Sequence, residues 1–217
     1  WWAAEENKIT LWCSSQGHFQ IGENTATVLG IPSSRVKVIP MEIGGGFGGK
    51  TTIYLEPVAA LLSKKSGAPV KITMTRAEVL EASGPTSGSY MKVKMGADKN
   101  GKILAADATL KFEAGAWAGS PVGAASMCIF TPYDIENVNI DAYDIVDNKP
   151  KTTAYRAPGA PIGSFAAETL VDELCEKLSI DPIDFRISNG AKEGTRRSKG
   201  VVNPVIGCIE TVESLKN

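Results

Sequence analysis

Apolar residues recur along the chain with two periods, and these divide it into strands and helices. Lys8-Ile-Thr-Leu-Trp-Cys13 alternates, which predicts a strand followed by a polar turn over 14–17. Phe19, Ile21, Ala26, Val28 and Leu29 fall on one face of a helix that stops at Gly30. A second strand is predicted over 35–39. The segment 52–62 reads as a helix, with Leu55, Val58, Ala59 and Leu62 on one side. Alternation predicts a strand over 70–75, then a short helix over 76–81. The runs 90–96 and 103–112 flank Asp98-Lys-Asn-Gly101, and Asn-Gly between two alternating runs predicts an antiparallel hairpin. A further strand covers 135–146 and a Pro/Gly-rich loop 149–163. The helix predicted over 164–178 has Ala167, Leu170, Val171, Leu174 and Leu178 at helical spacing. Asp181-Pro182 supplies an N-cap and a first-turn proline for another helix. Residues 190–204 read as a polar surface loop and 207–215 as a last helix. Strands and helices mix without a βαβ rhythm or an internal repeat. That pattern predicts an α+β fold, a mixed sheet with packed helices.

Composition narrows the class. The 217 residues are 43% apolar and 22% charged, ordinary for a globular chain able to bury a sizeable core. With 23 basic and 24 acidic residues and a net charge of -1, nothing suggests a nucleic-acid surface. Cys13, Cys128, Cys175 and Cys208 lie far apart and form no C-x-x-C pair, which argues against an Fe–S cluster, a structural zinc or a disulfide framework. Scattered thiols fit a cytoplasmic protein. No apolar run reaches the roughly 20 residues of a membrane helix, and no signal peptide is visible. The chain opens Trp1-Trp2-Ala3-Ala4 without an initiator Met and soon enters a strand. It is therefore expected to be cut or processed from a longer one, or to be one part of a split subunit.

The candidate chemistry begins at Gly44-Gly-Gly-Phe47-Gly-Gly-Lys50-Thr51, which satisfies G-x-x-x-x-G-K-[ST] between a predicted strand and a predicted helix. Glycines let the backbone adopt positive φ and turn amide N–H groups toward an anion, and a helix N-terminus behind them adds a positive dipole end. The loop is thus a candidate cradle for a phosphate-bearing ligand. A nucleotide enzyme also needs a buried strand ending in a Mg²⁺-binding carboxylate. The nearest imitations end at Asp107 and Asp141, one in the hairpin and one in a half-exposed strand. Pattern alone leaves nucleotide binding, a tight turn and another phosphate-bearing ligand all open.

Three segments together resemble the molybdenum-cofactor subunit of the xanthine dehydrogenase, aldehyde oxidase and carbon monoxide dehydrogenase family. They are Trp12-Cys-Ser-Ser-Gln16-Gly17, the glycine loop, and Ala154-Tyr-Arg156-Ala157-Pro-Gly159-Ala-Pro161. The third is followed by Glu168, Asp172, Asp181-Pro182, Arg186 and Asn189. The resemblance implies part of a larger molybdenum-cofactor-binding domain spanning 1–217. It implies a molybdopterin-type cofactor, in bacterial members often the cytosine dinucleotide form. The implied reaction is hydroxylation of a carbon centre, an aldehyde or N-heterocycle, with water as oxygen source. Electrons would leave through Fe–S clusters and FAD on partner subunits. By position, Gln16 would donate to a molybdenum ligand, and Gly45, Gly46, Phe47 and Gly48 would offer backbone amides. Arg156, Ala157 and Gly159 would form the second cofactor loop. Phe47 is expected to anchor its loop in the core as well. His18 reads as structural or solvent-facing, and Glu168 and Asp172 as a polar helix face.

Departures refine what the resemblance implies. Purine-oxidising members carry a Glu where Thr51 stands and an Arg where Ala124 aligns; copper-containing CO enzymes carry a Cys where Ala157 stands. Neither chemistry is favoured, and the alternatives to a molybdenum hydroxylase are a P-loop-like nucleotide-binding protein and a non-catalytic assembly module of the same fold. The family's general base belongs to a region outside this sequence. The expected partners are the remainder of the molybdenum subunit, an Fe–S subunit, a FAD subunit and a small-molecule substrate, with no nucleic acid and no membrane. Apolar surface left uncovered would favour a homodimer.

Overall fold

The structure, a computed structural model, describes residues 1–216. It is α+β, as the pattern predicts, and divides into two compact units. One comprises residues 1–86 and 153–156, the other residues 87–152 and Ala157 onward.

In the first unit, β1 (Trp2–Ala3) runs antiparallel to β2 (Lys8–Cys13), and β2 runs parallel to β3 (Val36–Pro40). Alternation in β2 buries Ile9 and Leu11 and leaves Trp12 exposed. Trp2, Ile9, Leu11 and Ala60 form the small core. Helix α1 (His18–Leu29) crosses β3 closely at Gly22, where a Cβ would lie 3.3 Å from a Val38 methyl. It ends at Gly30 in the left-handed conformation, φ +66. Helix α2 (Glu56–Ser66) starts later than the predicted position 52, with Pro57 in its first turn. Helix α3 (Arg76–Ala82) opens on a capping box between Thr75 and Glu78. The strand predicted over 70–75 is a correction. Val70, Ile72 and Met74 are half-buried and alternate with exposed neighbours, but the segment meets no ladder partner among the described residues, and a strand is defined by its pairing.

In the second unit, β4 (Ser89–Ala97) and β5 (Ile103–Gly115) form the predicted hairpin. The Asp98 carboxylate accepts from the amides of Asn100 and Lys102 and so closes its turn. Strand β6 (Asn137–Val146) lies parallel to β5, and the crossover carries α4 (Val122–Cys128). Sequence reading found neither the parallel pairing nor α4. Helix α5 (Ala160–Leu178) starts inside the predicted loop 149–163, with Pro161 in its first turn. Ala167, Val171 and Cys175 of α5 pack with Ala108, Leu110 and Phe112 of β5 in the main core. Helix α6 (Pro182–Asn189) is capped by the Asp181 carboxylate, and α7 (Cys208–Glu213) falls in the last predicted helix. Asn189 is buried. Its Oδ1 accepts from the Ile103 amide and its Nδ2 donates to the Gly101 carbonyl, stapling α6 to the hairpin turn. No helix among the described residues is long and apolar enough to cross a membrane.

Candidate functional site

The parallel pair β2–β3 delivers two chain segments to one end of the first sheet. The segment after β2 runs Ser14-Ser15-Gln16, and the one after β3 runs Met41-Glu42 into the glycine loop. Polar side chains stitch them together. Ser14 Oγ donates to the Glu42 carbonyl at 2.7 Å, and the Met41 amide donates to the Cys13 carbonyl at 3.1 Å. Gln16 then clamps the loop. Its Oε1 accepts from the amides of Gly48 at 2.9 Å and Lys50 at 3.2 Å, and its own amide donates to the Lys50 carbonyl at 2.9 Å.

This arrangement fixes the carboxamide's orientation by chemistry. Two N–H donors converge on one terminal atom, so that atom is the oxygen and the other is the NH₂. The Gln16 NH₂ has no partner among the described residues, and the residue is exposed. Beside it, the amides of Gly45, Gly46 and Phe47 also meet no acceptor among the described residues. Backbone geometry explains the glycines: φ is +65 at Gly44, +131 at Gly45 and +95 at Gly48. A Cβ on Gly46 would lie 2.5 Å from the Gln16 carboxamide, and one on Gly48 would lie 2.8 Å from Ala154 Cβ. The space that these glycines leave is therefore filled by Gln16 and by Ala154.

Phe47 corrects an expectation. It is 60% exposed, so it does not anchor the loop in the core. It takes a left-handed φ of +50, and its ring lies where a Gly45 Cβ would be, 2.9 Å from Cε2. Its carbonyl accepts from the Arg156 amide at 2.7 Å, which ties Ala154–Arg156 to the glycine loop within the first unit. The Arg156 side chain is exposed.

The rest of the second predicted loop belongs to the second unit. Ala157 takes φ +54, and Gly159 takes φ +84 and is buried. A Cβ on Gly159 would lie 2.3 Å from the Pro121 carbonyl, so this glycine lets the start of α5 seat against the start of α4. Glu168 and Asp172 do more than face water. Glu168 accepts from Tyr133 Oη at 2.8 Å and from Arg186 at 2.7 Å, and Arg186 also reaches Asp172 at 2.8 Å. The network joins α5 to α6 and bears on structure. His18 is half-buried at the first turn of α1, and its Nε2 has no partner among the described residues.

Sequence reading missed the stitching residues Ser14, Ser15 and Ala154. The signal was present for the serines, two short hydroxyl side chains directly before a candidate glutamine, but hydrogen-bonding targets 28 or 35 residues away have no local signature. It also read a helix directly behind the glycine loop. The helix begins only at Glu56, so no helix N-terminus backs Gly49-Lys50-Thr51. Cys13, at the end of β2, has its thiol pushed up to about 11 by burial and then by the Glu56 carboxylate, which keeps it protonated at neutral pH. No group of three or more His, Cys, Asp or Glu side chains that could hold a metal ion occurs among the described residues.

Comparison with known proteins gives this arrangement a context. Residues 1–190 match the molybdopterin cofactor-binding domain. The chain is 33% identical over 216 residues to the nicotinate dehydrogenase large molybdopterin subunit of Eubacterium barkeri, covering 97% of this chain and 51% of that one. It is 30% identical over 210 residues to the xanthine dehydrogenase molybdenum-binding subunit of Escherichia coli O157:H7, covering 95% and 27%. The aldehyde oxidoreductase from Desulfovibrio desulfuricans shares its fold with a TM-score of 0.91 at 24% identity, over 99% of this chain and 24% of that one. The chain thus spans about half the length of the first relative and about a quarter of the others.

Proposed function

The chain belongs to the family of molybdopterin cofactor-binding domains found in the large subunits of xanthine dehydrogenases, aldehyde oxidoreductases and CO dehydrogenases, and on that premise we propose that it is one part of a molybdenum hydroxylase. The observation that carries the reading is the Gln16 carboxamide. Its oxygen is consumed by Gly48 and Lys50, which leaves its NH₂ as a donor beside the unpartnered amides of Gly45, Gly46 and Phe47. A set of donors without acceptors fits an oxygen-rich, anionic ligand such as a phosphorylated pterin with an oxo-bearing metal.

When bound, the molybdenum cofactor supplies two-electron oxidation of a carbon centre with water as the oxygen source. The chain's own residues bind and orient it. Gln16 would donate to a ligand of the metal, and Gly45, Gly46 and Phe47 would offer the amide cradle, while Gly48, its own amide spent on Gln16, holds that side chain in place. Arg156 would contribute a positive charge, and Ala157 and Gly159, in the second unit, shape the start of α5. The substrate is an aldehyde or an N-heterocycle, and the likeness to a nicotinate dehydrogenase subunit supports the heterocycle. Thr51, Ala124 and Ala157 stand where purine-oxidising and copper-containing members carry Glu, Arg and Cys. The general base, the Fe–S clusters and the FAD belong to other parts of the assembly. Geometry disfavours the nucleotide reading, because the Lys50 ammonium is turned onto its own loop at the Ile43 carbonyl.

Two substitutions at one residue test the assignment in a complex co-expressed with the complementary molybdenum-subunit segment and the Fe–S and FAD chains. Gln16→Glu keeps an oxygen for Gly48 and Lys50 but loses the donor; Gln16→Ala loses both. Turnover is expected to fall in both, by about a hundredfold for removal of one donor. Molybdenum, read by mass spectrometry, is expected to stay in Gln16→Glu and to fall in Gln16→Ala. A wild-type complex without molybdenum would sink the proposal.

A further inference from the structure

We propose that Lys50 is a positioning residue whose ammonium latches the two ends of the glycine loop together, so that the loop's open amides are in place before a cofactor arrives. Lys50 Nζ donates to the Ile43 carbonyl at 2.6 Å, which joins the exit of the loop to its entry. Its main chain is tied as well. The amide donates to Gln16 Oε1 at 3.2 Å, and the carbonyl accepts from the Gln16 amide at 2.9 Å and from Ser15 Oγ at 3.3 Å. One residue therefore fastens the loop to itself and to the end of β2.

The need for such a fastening follows from composition. Five of the six residues between Ile43 and Lys50 are glycine, and glycine has the most conformational freedom to lose on ordering. An untied loop would spread over many conformers, and affinity would fall by the fraction that presents its amides correctly. A lysine serving a bound phosphate would keep its ammonium free for the ligand; here a carbonyl takes it, within a half-buried residue. The same G-K pair that imitates a nucleotide-binding motif thus does a different task. The inference rests on the cofactor reading for the purpose of the latch, while the latch itself is measurable in the cofactor-free chain.

Amide hydrogen exchange in the ¹⁵N-labelled 217-residue chain provides the test. The reporters are the amides of Gly48 and Gly49, bonded to Gln16 Oε1 and to the Gly46 carbonyl. Lys50→Met keeps the stem and loses the ammonium. It is expected to speed exchange at both reporters about tenfold while the strand amides of β2 and β3 keep their wild-type rates. Lys50→Arg is expected to restore slow exchange. Wild-type rates at Gly48 and Gly49 in Lys50→Met would overturn the latch. Should Lys50→Met also loosen β2 and β3, the arginine variant decides: protection regained supports the latch, and protection lost in both variants overturns it. In the co-expressed complex, Lys50→Met is expected to carry about a tenth of the wild-type pterin and Lys50→Arg most of it, in line with the same exchange ratio. If the exchange rates change as stated but the wild-type complex holds no molybdenum, the latch stands and the cofactor reading falls.

Discussion

Single residues in this chain separate by what a Cβ would meet, and glycine shows it best. A Cβ on Gly159 would strike the Pro121 carbonyl and the Ala125 amide, and the residue's φ is +84, so Gly159→Ala is expected to cost about 2–4 kcal/mol. Gly44 has φ +65 but open space around it, so Gly44→Ala should cost only about 1 kcal/mol of backbone strain. Gly123 lies within α4 with an ordinary φ and nothing near, so Gly123→Ala is expected to stabilise by about 0.5–1 kcal/mol. Urea unfolding of the three variants checks the order, and a Gly159→Ala no less stable than Gly44→Ala would refute the packing assigned to α4 and α5. The sequence makes these three glycines look alike. Position relative to distant backbone separates them, and that information lies in the fold.

At the scale of elements, the Tyr133–Glu168–Arg186–Asp172 network ties α5 to α6 and to the segment that follows α4. Arg186→Ala leaves the Glu168 carboxylate and the Tyr133 hydroxyl without their cation, and a loss of about 2 kcal/mol is expected for groups that are part-exposed. Burial, then the charge on Glu168, raises the Tyr133 pKa above its ordinary 10.0. The folded chain therefore keeps this proton at a pH where the unfolded chain gives it up. Above about pH 10 the unfolded state binds fewer protons, so stability falls as pH rises. Tyr133→Phe, which cannot titrate, should show a shallower decline between pH 10 and 11.5 in chemical denaturation. An unchanged slope would remove Tyr133 from the network's energetics. Elements with strong periodicity were legible: β2, α1, the β4–β5 hairpin and α6 stand where Ile9 and Leu11, Gly30, Asn100-Gly101 and Asp181-Pro182 predict them. Helix α4 was not, because Gly123, Ala124 and Ala125 give no amphipathic contrast. Residues 70–75 alternate like a strand but lack a partner, and pairing is a property of two segments. At the candidate site, a resemblance singled out Gln16, the glycine loop and Arg156. The hydrogen bonds that arrange them were not, since they join residues far apart in sequence.

For the whole molecule, the exposed apolar side chains set the expectation. Trp12, Phe19 and Leu80 in the first unit and Trp117 and Phe165 in the second are each more than half exposed, with Phe19 at 92%. Side chains of this size remove apolar area from water when chains associate. The isolated chain is expected to self-associate to twice its 23.0 kDa or more, to hold no molybdenum and to show no dye-linked aldehyde oxidation. Light scattering and metal analysis check this. A clean monomer would remove the association, and stoichiometric metal with turnover would show that this chain alone holds a complete site. The tie between the Phe47 carbonyl and the Arg156 amide has one more consequence, which concerns time. Synthesis runs from the N-terminus, so the glycine loop is made long before its last partner. Strands β4, β5 and β6 and helix α4 must all leave the ribosome before Arg156 does. Until then the nascent first unit carries a loop whose closing bond has not yet been made.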